Sequence, residues 1–157
     1  MIKQSCKNNN LGFTLIEVLV AVSVIGFITV ASMVIFKQTR MSSRDVTRVS
    51  NISTIKHALA MYFNNSQNGY TASAGECLSN GSTVGSALKA ANVITNVPVD
   101  PMWPATVPTP VENGFATSTA SNFCYYYYSD SVNQYKISYY IESNSKFSTA
   151  GINTTTQ

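Results

Sequence analysis

Between Phe13 and Phe36 the chain runs for 24 residues with a single charged side chain, Glu17. As a helix, at ~1.5 Å per residue, that stretch spans roughly 36 Å, enough to cross a ~30 Å hydrocarbon core. The run predicts a membrane-spanning helix. Met1 to Gly12 precede it, a short polar leader with Lys3, Lys7 and three consecutive Asn, which looks like the basic start of a secretory signal. The run is longer than the ~7–15 apolar residues of an ordinary signal, and no Ala-x-Ala closely follows it. Cleavage after the run is therefore not expected, and the apolar helix should remain in the mature protein.

The acid at position 17 is the unusual residue. A carboxylate near a bilayer centre costs about 2.5–3.5 kcal/mol on insertion scales, so intramembrane acids are rare and usually have a partner. The simplest reading is that Glu17, five residues into the run, reaches back to the headgroups. The surrounding residues point elsewhere. Gly12-Phe13-Thr14-Leu15-Ile16-Glu17-Val18-Leu19-Val20 resembles the processing site of type IV prepilins and type II secretion pseudopilins. The matching features are a short basic leader ending in Gly, then Phe, an acid at the fifth position after the cut, and an unbroken apolar stretch.

The resemblance implies a membrane-embedded prepilin peptidase that cuts between Gly12 and Phe13 on the cytoplasmic side and N-methylates the new amine of Phe13. It also implies a fold: a long N-terminal α-helix, apolar in its first half and amphipathic in its second, packed on a small antiparallel β-sheet (α+β, pilin-like). The expected divisions are a leader over 1–12, a transmembrane or filament-core helix over 13–36, the amphipathic half over 37–66 and a globular head over 67–157. The expected role is a structural subunit of a type IV pilus or type II secretion pseudopilus. Its partners would be copies of itself, minor pilins, the peptidase, an inner-membrane assembly platform and, before assembly, the bilayer. Its head would be periplasmic or extracellular, on a single-pass anchor in the inner membrane. No cofactor is expected. In such a filament the Phe13 amine would meet a neighbour's Glu17. Two charges about 4 Å apart attract by ~4 kcal/mol at an effective dielectric near 20, so the pair would set the axial register. A second reading, from another class, is a single-span binding protein that never polymerises.

Charge after the apolar run argues against this topology. Lys37, Arg40, Arg44 and Arg48 follow it, against two Lys in the leader, and the positive-inside rule taken alone would leave the head in the cytoplasm. The processing motif and the cysteines place it outside. Cys6 would leave with the leader, so Cys77 and Cys124 remain as an even pair in an exported domain, which reads as one disulfide. Two independent thiols are the alternative.

Composition excludes other classes. Charged residues make up 11% of the chain, against roughly a quarter in average soluble domains. Ser, Thr and Asn supply 51 of the 157 residues, so water is met by hydroxyls and amides. There is no basic stripe of the kind that marks nucleic-acid binding, and three scattered Cys with a single His fit no zinc-finger spacing. No nucleophile–base or paired-carboxylate arrangement appears, so an enzyme is not expected. His57 has no companion at ligand spacing and is assigned no site.

Beyond Phe36 the pattern becomes amphipathic. Val49, Ile52, Ile55, Leu59 and Phe63 recur at three and four residues, with Arg48, Asn51, Ser53 and Lys56 off the stripe. The helix is expected to reach about Asn64, with Asn68-Gly69 as its punctuation. Arg40, Arg44 and Arg48 share one face, read as solvated or headgroup-contacting, with a subunit contact as the alternative. Tyr70 to Asn122 has little periodicity, contains all five Pro between Pro98 and Pro110, and allows a short helix over Ser86–Ala91. Val97-Pro98-Val99-Asp100-Pro101 with Trp103 resembles the Pro-x-Asp-Pro loop of major pseudopilins. Ala58-Leu59, Tyr62 and Asn68-Gly69-Tyr70 resemble their helix end, although Thr71 stands where many have Pro. Phe123–Tyr128 and the alternating Gln134–Glu142 predict a hairpin turning at Asp130–Asn133, with tyrosine rings covering the helix. The tail after Ser143 is polar and acid-free, so no calcium site is expected there.

Overall fold

The computed structural model describes residues 12–66, 68–105, 122–144 and 148–157. Lys3, Cys6 and Lys7 of the leader, and Pro108 and Pro110, lie outside the described residues. The chain divides into two compact units, one ending at Gln38 and the other spanning Thr39–Gln157. Helix α1, Leu15–Asn65, contributes to both.

In the first unit α1 is apolar on every side. Leu15, Ile25, Phe27 and Val30 are all more than 60% exposed, and none of its most apolar window is buried within the chain. Its few hydroxyls are satisfied locally. Ser23, Thr29 and Ser32 donate to the carbonyls of Val20, Ile25 and Ile28, each at 2.8 Å. Side chains that bond back to their own helix add no unpaired polar group to an apolar environment.

The second unit is built on the later turns of α1. Helix α2 covers Thr83–Ala90. The strands are β1 (Ser73–Cys77), β2 (Tyr126–Ser131), β3 (Gln134–Ile141) and β4 (Gly151–Thr156), in a four-stranded sheet of order β1-β2-β3-β4 with every pair antiparallel. Ile52, Ile55, Ala58 and Leu59 of α1 pack on Tyr125, Tyr127, Tyr135 and Ile137 of the sheet side. Val84 and Leu88 of α2, with Leu78 and Val97, complete the same core. The rings interlock: Tyr70 meets Tyr135 edge-on at 4.8 Å between centroids, and Tyr135 stacks with Tyr127 at 6.0 Å. Burial pushes the phenols of Tyr125, Tyr127 and Tyr135 up to about 12.

Several expectations shift. The hairpin is real, but it is the centre of a wider sheet. Phe123, Cys124 and Tyr125 precede β2, while Asp130 and Ser131 belong to it, so only Val132 and Asn133 turn. The polar tail pairs with β3 without a register break, from Lys136↔Thr156 to Ile141↔Gly151. Helix α2 starts at Thr83 rather than Ser86, because Ser82 is its N-cap and accepts from Gly85 N at 3.0 Å. The Glu76 carboxylate, reaching from β1, accepts from Thr83 N and Val84 N at 2.8 and 2.7 Å and satisfies two more amides of that first turn. On α1, Val49 and Phe63 are exposed while Ile52, Ile55 and Leu59 are buried.

Helix α1 ends at Asn65, and beyond it Gly69 lies in the left-handed region at φ 74°. A Cβ there would stand 2.2 Å from the Val132 carbonyl oxygen, so this turn needs glycine. Tyr70 N then donates to that same carbonyl at 2.8 Å, joining the helix end to the β2–β3 turn.

Ile55 is fully buried between helix and sheet. Ile55→Ala is expected to cost about 2–5 kcal/mol of head stability, measurable by denaturant unfolding of the detergent-solubilised chain.

Candidate functional site

The processing segment begins outside the helix. Gly12, Phe13 and Thr14 are irregular and exposed, with Phe13 at 83%. Helix α1 starts one residue after Thr14. Thr14 O accepts from Glu17 N at 3.1 Å and from Val18 N at 3.3 Å, and Thr14 Oγ1 also accepts from Glu17 N at 3.3 Å. Thr14 is therefore the N-cap, and Glu17 sits in the first turn, where an acid complements the positive helix end. The carboxylate is exposed on an otherwise apolar surface. Phe13 and Glu17 thus lie on the same short stretch, one just before the helix and the other in its first turn.

Residues 7–33 match the family model described as the prokaryotic N-terminal methylation motif. That motif is the hallmark of type IV pilin and pseudopilin prepilins. This chain carries it. No curated protein and no solved structure matches the chain. The prepilin-type motif, followed by an apolar helix long enough to cross a bilayer, is consistent with membrane anchoring. The head that follows is an α+β unit of pilin-like architecture.

Two features hold the head together. The first is the Cys77–Cys124 disulfide, with Cα atoms 5.6 Å apart, joining the end of β1 to the segment before β2. The second was not legible as a site. Arg48 is fully buried and stands among three carboxylates. Its Nε and Nη2 grip Asp100 in a fork at 2.8 and 3.1 Å, and Nη1 donates to Asp45 at 2.7 Å and Glu142 at 2.6 Å. Arg44 pairs with the same Glu142, Nε to Oε1 at 2.7 Å and Nη2 to Oε2. The guanidinium carbon of Arg48 lies 5.1 Å from the centre of the Phe123 ring. The Arg40, Arg44, Arg48 series is therefore not one solvated face: its last member is the polar centre of the head.

The spare acceptors are filled from the backbone. Asp45 accepts from the amides of Glu142 and Ser143 at 3.0 and 2.9 Å and from the Ser143 hydroxyl at 2.6 Å. Asp100 accepts from Met102 N at 2.8 Å. A buried ion cluster is tolerable only when satisfied in this way. It fastens α1 to the Pro-x-Asp-Pro loop and to the end of β3. Burial works against ionisation of Asp45, but the Glu142 amide, the Ser143 hydroxyl and Arg48 outweigh it and hold the carboxyl below its ordinary range. The Arg44 guanidinium does the same for Glu142, with Arg48 adding to it.

His57 is exposed on α1 next to Lys56, which donates to Thr155 Oγ1 on β4 at 3.1 Å. Among the described residues no cluster of His, Cys, Asp or Glu has the makings of a metal site.

The two lowered carboxyls set the acid response. A carboxyl whose folded pKa lies below its unfolded value stabilises the fold above the unfolded value, and that stability is lost as pH falls toward the folded one. Head stability is expected to fall steadily from about pH 5 downward. Glu142→Gln should lower stability at neutral pH and flatten that acid limb, as read from thermal unfolding at a series of pH values.

Proposed function

We propose that this chain is the structural subunit of a type IV pilus or type II secretion pseudopilus. A prepilin peptidase removes residues 1–12: water adds to the Gly12 carbonyl carbon, the Gly12–Phe13 C–N bond breaks, and Phe13 nitrogen leaves with a proton as a free amine. The enzyme then methylates that amine with a sulfonium methyl donor: the nitrogen takes the methyl group, the S–CH3 bond breaks to leave a thioether, and the nitrogen loses a proton. The head stays on the outer side of the inner membrane, the apolar helix waits in the bilayer, and assembly stacks it against the same helix of neighbouring copies.

What carries this reading is the coincidence of the methylation motif with an apolar helix long enough to cross a bilayer. Such a helix needs lipid or other copies around it. Once copies surround it, the Phe13 ammonium of one subunit and the Glu17 carboxylate of another compensate each other in a site with little water. Leaving either alone there is costly, so the pair selects one axial stagger, while the apolar surfaces supply the contact area. The disulfide fits a head that works in an oxidising compartment.

Glu17→Ala should be exported and lose its leader at the normal rate, yet give at least tenfold less sheared surface fibre or secretion-system filament than wild type. Filaments at wild-type yield from this variant would remove the role given to Glu17. Wild-type cells that contain the processed subunit but never form filaments would favour a single-span binding protein instead.

A further inference from the structure

We propose that Thr14 decides where α1 begins, and so keeps the Gly12–Phe13 bond available to the peptidase. The inference rests on the processing proposed above and goes beyond it, by assigning a positioning role to a residue that is not cut or modified. The sequence Thr14-Leu15-Ile16-Glu17 has the Thr-x-x-Glu spacing of a helix-starting box, in which the first hydroxyl serves the amide three residues on. That hydrogen bond is present, from Glu17 N to Thr14 Oγ1.

The choice of partner for the Glu17 amide is what matters. In a helix one turn longer, Glu17 N–H would donate to the Phe13 carbonyl and Ile16 N–H to the Gly12 carbonyl, following the i to i−4 rule. The Gly12 carbonyl is the group that hydrolysis must attack. Drawn into a helix, it would be hydrogen-bonded and wrapped within the first turn, and would have to be unwound before any enzyme could reach its carbon. In the structure the Glu17 amide is turned instead toward the oxygens of Thr14, the carbonyl at 3.1 Å and the hydroxyl at 3.3 Å. Gly12 and Phe13 remain outside the helix. The pull toward extension is real, because amides left without partners in an apolar medium are costly and Phe13, the residue that follows the cut, would be at home in that helix.

Gly12 adds an independent observation. Among the described residues, a Cβ built on it meets nothing within 4 Å. No described residue therefore demands glycine at this position. Any such demand comes from a surface that closes on the backbone from outside, as a protease subsite does on an unwound strand.

The experiment uses the full-length chain in membranes, with purified prepilin peptidase, and follows leader removal for wild type, Thr14→Val, Thr14→Ser and Thr14→Asn. Valine keeps the branched shape and removes the hydroxyl. It should slow cleavage by about fivefold, the equilibrium shift that goes with losing a hydroxyl N-cap. Serine and asparagine, different in shape but good caps, should cleave within about twofold of wild type. In parallel, amide hydrogen exchange at Ile16 and Glu17 should show greater protection in Thr14→Val than in the others. Valine cleaved at the wild-type rate, serine and asparagine as slow as valine, or a slow valine variant with unchanged exchange would each overturn the inference while leaving the processing reading intact. A wild-type chain that the peptidase leaves whole would overturn the processing reading, and this inference with it.

Discussion

A helix with no covering of its own is the constraint from which the rest of this molecule follows. At least fifteen large apolar side chains between Phe13 and Phe36 stand exposed, and burying each is worth roughly 1.5–3 kcal/mol. The total is tens of kcal/mol, more than the stability of an ordinary domain. The stretch is long and apolar enough to cross a bilayer, which is consistent with membrane anchoring, and Glu17, its one ionised side chain between Phe13 and Phe36, then needs a partner in the same surroundings.

The same helix serves as a spine after Gln38, and the change of role is chemical. Where the first part presents Val, Ile and Phe on every side, the second presents a stripe of Arg48, Ile52, Ile55 and Leu59 to one core. Arg48 is the first buried member of that stripe after Asp45, and it meets the acids of two distant segments, Asp100 and Glu142. A guanidinium, with donors in a fixed fork, can hold several carboxylates at once in a way an ammonium cannot. The cluster gives the loop around Asp100 and the end of β3 one arrangement on α1.

Much of this was legible in the sequence, for reasons that also explain what was not. The apolar run and the methylation motif that opens it announce themselves because both lie in one continuous stretch of sequence. The alternation of Tyr135, Ile137, Tyr139 and Ile141 exposes β3 in the same way. Strand β4 was hidden because Gly151, Asn153 and three Thr carry no apolar period, and its place is set by the ladder to β3. Strand β1 was hidden by a bulge and by Gly75 at φ 121°. Arg48 was misread because a cation at helical spacing from other cations looks solvated. Its burial depends on acids 52 and 94 residues away, which no local pattern reveals. One signal was present: Arg48 lies at the period of Ile52, Ile55 and Leu59, so a buried stripe containing an arginine should have prompted a search for its acids.

The most direct measurement is mass spectrometry of the N-terminal peptide of this protein, purified from cells that contain a functional prepilin peptidase. The account requires a chain that begins at Phe13 and carries one added methyl group on its nitrogen. A mature protein that still carries Met1 to Gly12, or that begins anywhere after Phe36, would contradict it.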